Sequence, residues 1–143
     1  MTLRRAAVVV GAAISLSLVG SAARATPPDP GVFGTVIWQQ TVGGTDYTLR
    51  EVHLPPHTDT GWHFHDGNLY ATVKSGTLSH FDATCESDGV YPTRSFVFEP
   101  GGPGNVHIGR NLGDTEVVLE VLYVLPKGSP FSEDAPNPGC DFE

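Results

Sequence analysis

Three histidines carry the chemistry this chain most readily suggests. In Gly61-Trp62-His63-Phe64-His65, an extended backbone sends alternate side chains to opposite faces. His63 and His65 therefore project together while Trp62 and Phe64 project away. Two imidazoles on one strand are a weak signal, because polar residues on a wet strand face look the same. His107 strengthens it: it follows the turn Pro100-Gly101-Gly102-Pro103-Gly104 and precedes Asn111 by four positions, so it can bring a third imidazole in on a separate strand. Neutral imidazole nitrogens suit iron, zinc, copper and nickel, and three such ligands leave positions open for a substrate. Asp66, Glu99 and Arg110 flank the histidine motifs and are available as acid, base or substrate anchor, with nothing in the sequence to rank them. Of the other histidines, His53 alternates with Val52 and Leu54 and reads as surface. His57 falls in a Pro55-Pro56-His57 loop, and His80 shares a face with Leu78 and Asp82, from which it can approach an interior. Nucleophile elbow, P-loop, dinucleotide fingerprint and paired-carboxylate signatures are all missing, which removes several other enzyme classes.

The elements that must position these residues are short strands. With 12 prolines and 17 glycines and no helical spacing of apolar residues after the first quarter, the chain reads as all-β. The runs are 35–42, 47–54, 62–65, 69–74, 77–81, 95–99, 106–109 and 115–125. Turn signals such as Gly43-Gly44, Asp66-Gly67, Ser75-Gly76 and Gly113-Asp114 separate most of them. About eight such strands suggest a sandwich or jelly roll. The last run is almost continuously apolar, the pattern of a strand buried on both faces. Residues 83–92 read as a polar excursion and residues 127–143 as a Pro-rich tail beyond a domain spanning 26–126.

Gly61 to Gly76 resembles the first motif of the cupin family, in which H-x-H is followed by a glutamate and then a glycine turn. Gly104 to Asn111, read as G-x-x-H-x-x-x-N, is similar to the second. The resemblance implies a jelly-roll barrel (a double-stranded β-helix) with His63, His65 and His107 around a divalent metal at its mouth. Two positions depart from the pattern: Leu69 occupies the place of the first motif's glutamate, and Gly102 that of the second motif's leading proline. A leucine ligates nothing, so the expectation is an open three-histidine site of the kind found in the thiol dioxygenase branch. Such a site favours iron, zinc, copper or nickel over manganese. Tyr70, next to Leu69, should face away from the site.

The amino terminus has a different character. Arg4 and Arg5 precede a small and apolar run from Ala6 to Val19, and Ala23-Arg24-Ala25 fits a cleavage site. Residues 1–25 therefore read as a signal peptide, with the Sec and twin-arginine routes both open, and the mature protein as secreted or held in the cell envelope without a membrane span. Cleavage removes three arginines and takes the formal charge from −8 to −11, a surface that disfavours nucleic acid as a partner. Cys85 and Cys140, the two cysteines present, suggest a disulfide pinning the tail. Two functions remain in view. One is a metal-dependent enzyme of oxygenase type acting on a small organic molecule. The other is a non-catalytic binding or structural module; a homodimer is compatible with either.

Overall fold

The computed structural model describes residues 24–142. The strands are β1 (Phe33–Val42), β2 (Thr45–Leu54), β3 (His63–Phe64), β4 (Asn68–Ser75), β5 (Thr77–Asp82), β6 (Ser87–Pro92), β7 (Phe96–Glu99), β8 (His107–Arg110), β9 (Val117–Pro126) and β10 (Glu133–Asp134). They form two five-stranded sheets, in the orders β1-β2-β9-β4-β7 and β10-β3-β8-β5-β6, with antiparallel neighbours throughout. This is the all-β jelly roll expected. Among the described residues no helix is long and apolar enough to cross a membrane. Nearly all of the signal-peptide segment lies outside the described residues.

All eight expected runs are strands, and two more appear. Residues 83–92, read as a polar excursion, contain β6, which pairs with β5 as a hairpin. β6 is the edge of its sheet and mostly solvent-facing, so it carries no apolar alternation to betray it. β10 lies in the tail and pairs with β3.

The core comes from alternation on the inner faces. Val117, Leu119, Val121, Tyr123 and Leu125 of β9 are buried, and they pack with Leu69, Ala71 and Val73 of β4 and with Val97 of β7. The expectation that β9 is buried on both faces is not met: Val118, Glu120, Leu122 and Val124 are only partly covered. As the central strand of its sheet, β9 is flanked by β2 and β4, which shield its outer face without a second layer above it. A smaller cluster lies on the other side of β3, where fully buried Trp62 packs with Ile108, Ala135 and Cys140. The tail thus covers the apolar side of the H-x-H strand. It is anchored by a disulfide between Cys85 and Cys140, whose Cα atoms are 5.5 Å apart. The motif glycine Gly76 turns the chain from β4 to β5 at φ +74°, where a Cβ would press on the Glu116 carbonyl.

Candidate metal centre

β3 and β8 set His63 directly opposite His107, and His65 follows two residues on, on the same face. All three are buried. Their ring centroids are 4.4 Å (His63 to His107), 4.8 Å (His63 to His65) and 5.1 Å (His65 to His107) apart. One ring nitrogen from each lies within 4.8 Å of the other two.

The far side of each ring fixes its tautomer. His63 Nδ1 donates to the Gly61 carbonyl at 2.8 Å, His65 Nδ1 to Phe131 at 2.7 Å and His107 Nδ1 to Asn105 at 2.8 Å. A carbonyl only accepts, so Nδ1 carries a hydrogen in all three, which leaves Nε2 as the atom each ring can offer to a metal. Metal-binding histidines use this arrangement, with the outer nitrogen tied back to the protein. The Nε2 atoms of His65 and His107 are buried without a well-aligned hydrogen-bond partner. Burial, reinforced by His107 and His65, pushes His63 down to about 3, so it is neutral and able to ligate. The donor set fits a divalent transition metal.

Leu69 is buried on the inner face of β4, where it cannot ligate, as the sequence implies. The structure nevertheless brings in a carboxylate from elsewhere. Glu99 of β7 pairs across the sheet with Leu69, and side chains of directly paired residues share a face. Its Oε2 lies 3.1 Å from His65 Nε2 and 3.4 Å from His107 Nε2. Burial alone would raise the Glu99 carboxyl, but the imidazoles of His107, His65 and His80 hold it well below the usual carboxylate range. The expected carboxylate-free site is corrected on this point: the acid group has moved from one strand to its neighbour.

His80 also joins the cluster. It is buried and stacks on His107 with centroids 4.9 Å apart. Its Nε2 is 3.4 Å from Glu99 Oε1 and its Nδ1 is 2.6 Å from Asp88 Oδ1. Burial works against its charge, yet the flanking carboxylates of Asp88 and Glu99 outweigh it and raise His80 to about 9. His80, Glu99 and His107 form a second group whose donor atoms lie within 4.8 Å of one another.

The other candidates fall outside. Asp66 is exposed. Arg110 approaches Asp59 at 3.8 Å and stacks over Phe142. His57 is exposed and contacts Asp114, while His53 lies between Glu51 and Glu116. Tyr70 faces away, as expected, and is partly exposed. The motif asparagine, Asn111, is a structural residue. Its buried amide reaches the carbonyls of Leu54, Pro55 and Thr115 within 3.0 Å and so clamps the turn after β8 to the end of β2.

Beside a small cavity of about 50 Å³ that His63, His65 and Glu99 share, two larger clefts border the cluster, one at His80 and His107 and the other at His63 and His65. One of about 300 Å³ is acidic, lined by Asp82, Asp88, Glu99, His80 and His107. The other, about 190 Å³, is lined by Arg50, Val52, His63, His65 and Tyr123 and contains no carboxylate. Arg50 went unremarked in the sequence, although it shares an alternation with inward-facing Thr48, Val52 and Leu54. Tyr123 stands beside His65 with rings 6.0 Å apart, and burial pushes its phenol up to about 12.

No family model matches the chain, and no curated protein matches it in sequence. Solved structures do match in shape. A cupin-like protein from Thermotoga maritima superposes with a TM-score of 0.59 at 17% identity, covering 74% of this chain and 77% of that one. A protein with a double-stranded β-helix domain from Klebsiella pneumoniae gives 0.58 at 19% identity over 76% and 88%. A cupin domain from Bordetella pertussis gives 0.52 at 24% identity over 66% and 94%.

Proposed function

We propose that this chain, which has the cupin fold those likenesses show, holds one divalent transition metal through His63, His65 and His107 and acts on a small organic molecule in an oxygenase-type reaction. The observation that carries the reading is the set of three buried imidazoles whose Nδ1 atoms are all tied to backbone carbonyls, leaving the three Nε2 atoms to converge. When bound, the metal supplies open coordination positions that bring substrate and oxygen together. The protein's own part is to orient the ligands, to place Glu99 where it neutralises the ion's charge, and to keep the site walled by apolar side chains such as Leu69, Val52 and Val121. The function belongs to an exported protein, a placement the disulfide is consistent with.

The competing reading is a non-catalytic module, and Glu99 is the observation that favours it. With Glu99 added to the three histidines, a four-coordinate zinc would be closed to substrate, as structural zinc sites are. A six-coordinate iron would keep two positions free. Elemental analysis of the purified protein, beside a variant with all three histidines changed to alanine, separates the readings. Stoichiometric iron, lost in the variant and accompanied by substrate-dependent oxygen uptake, is expected. Stoichiometric zinc with no turnover would support the non-catalytic module, and absence of metal would overturn the centre itself.

A further inference from the structure

We propose that Arg50 is a carboxylate anchor, so that the small molecule taken by this centre is a monocarboxylic acid. The inference names the substrate class of the same site and in that respect rests on the proposed function, but the anchor itself needs no metal.

Arg50 is an arginine on the inner face of β2, between buried Thr48 and the core residue Leu54. A guanidinium is always charged and carries five N–H donors, and in such a place it normally meets a carboxylate. Among the described residues none approaches it within 4.0 Å. Its one acceptor there is the Tyr123 hydroxyl, 3.4 Å from Nη1, while Nε is buried with no partner. The aromatic rings hold it in place: its Cζ lies 4.0 Å from the Phe131 centroid and 5.3 Å from that of Tyr123. Room for the head group comes from Gly34 on the paired strand, where a Cβ would overlap Arg50 Nη2 and Cζ. The result is a positioned fork with unused donors, sharing its cleft with His63 and His65.

That cleft selects by charge. It is lined by the guanidinium and by no acid group, whereas the larger cleft at His80 and His107 presents Asp82, Asp88 and Glu99. A carboxylate is accordingly drawn to the Arg50 side. A planar fork matches a planar carboxylate bidentately, and one guanidinium balances one negative charge. The chain's net charge of −8 works against a polyanion such as a phosphate ester. The cleft, about 190 Å³ in volume, has room for a small acid. The acid's apolar part would lie against Val32 and Val52.

The test is calorimetric titration with 3-methylbutanoate, 3-methylbutanamide and inorganic phosphate. Each is titrated into chelator-treated and metal-loaded protein, with metal content measured in parallel. Wild type should bind the acid about tenfold or more tightly than the amide, and more tightly than phosphate, in both preparations. Arg50→Gln should abolish that preference while metal content is unchanged. Gly34→Ala should do the same by displacing the guanidinium with its charge intact, from a strand position whose backbone accommodates alanine. The acid-over-amide preference in wild type stands as a test even if Arg50→Gln fails to fold. Equal binding of acid and amide, an acid preference that survives both variants, or tighter binding of phosphate would overturn the proposal. An acid preference present only with metal and indifferent to Arg50 would also overturn it, by making the ion the anion's receptor. Arg50-dependent binding in protein that takes up no metal would keep the anchor and discard the metal reading alone.

Discussion

Leu69 and Glu99 face one another across the β4–β7 pair, and this makes the carboxylate's position a testable property of two residues. Glu99→Gln keeps the shape of the side chain but removes the charge beside His65 and His107, and should weaken divalent-metal affinity by roughly ten- to a hundredfold, the usual range for a group supporting a metal ligand. Adding Leu69→Glu to that variant returns a carboxylate to the same face from the opposite strand, so manganese affinity should recover at least in part. Competitive metal titration checks both steps, and no recovery would show that residue 69 does not look into the site. His80 yields a second expectation through its proton. Its pKa is raised to about 9 by Asp88 and Glu99 against an unfolded value near 6.5. The charge of His80 therefore stabilises the fold fully below pH ~6.5, and that contribution disappears as pH rises through 9. In chelator-treated protein, the stability advantage of wild type over His80→Gln should shrink between pH 6.5 and 9. Thermal melts across that window measure it, and a constant difference would contradict the ion-pair assignment.

β3 is two residues long and could not hold two ligands steady alone. It is held on one side by β8 and on the other by β10, while Trp62 is sealed beneath the tail. The tail also supplies the Phe131 carbonyl that orients His65 and the Phe131 ring that faces Arg50. The Cys85–Cys140 bond, which spans 55 residues, closes this arrangement. Replacing both cysteines by serine should lower the unfolding free energy by about 4 kcal/mol in the chain-entropy model, measured by urea denaturation, and should weaken metal binding as β10 loosens. An unchanged denaturation midpoint would mean that the tail docks without the bond. The element level also shows where sequence patterning misleads. In Phe96-Val97-Phe98-Glu99 the two phenylalanines are 61% and 49% exposed, whereas Val97 is buried and the Glu99 side chain is only 15% exposed. Judged by hydrophobicity, the strand would face the other way.

Across the whole molecule, turn signals and short β-rich runs make the all-β class legible, the resemblance of the motifs narrows it to a jelly roll, and the H-x-H spacing with His107 points to one cluster. The residues the sequence leaves unranked, like Glu99, or unremarked, like Arg50, are those whose meaning depends on pairing between distant strands. Glu99 acquires its role only once β7 lies against β4, and Arg50 only once Phe131 returns from the tail to meet it. β6 and β10 were illegible for a related reason, being polar or very short and stabilised by their partners instead of by their own pattern. All of these converge on the three Nε2 atoms of His63, His65 and His107, and X-ray absorption at the edge of the bound metal tests that convergence most directly. Three imidazole nitrogens at ~2.0–2.2 Å, the ordinary range for zinc and close to it for its neighbours, are expected, with one of them lost in each single histidine-to-alanine variant that still retains the ion. A metal shell with fewer than three imidazoles in the wild-type protein, or one unaltered by removing His107, would contradict it.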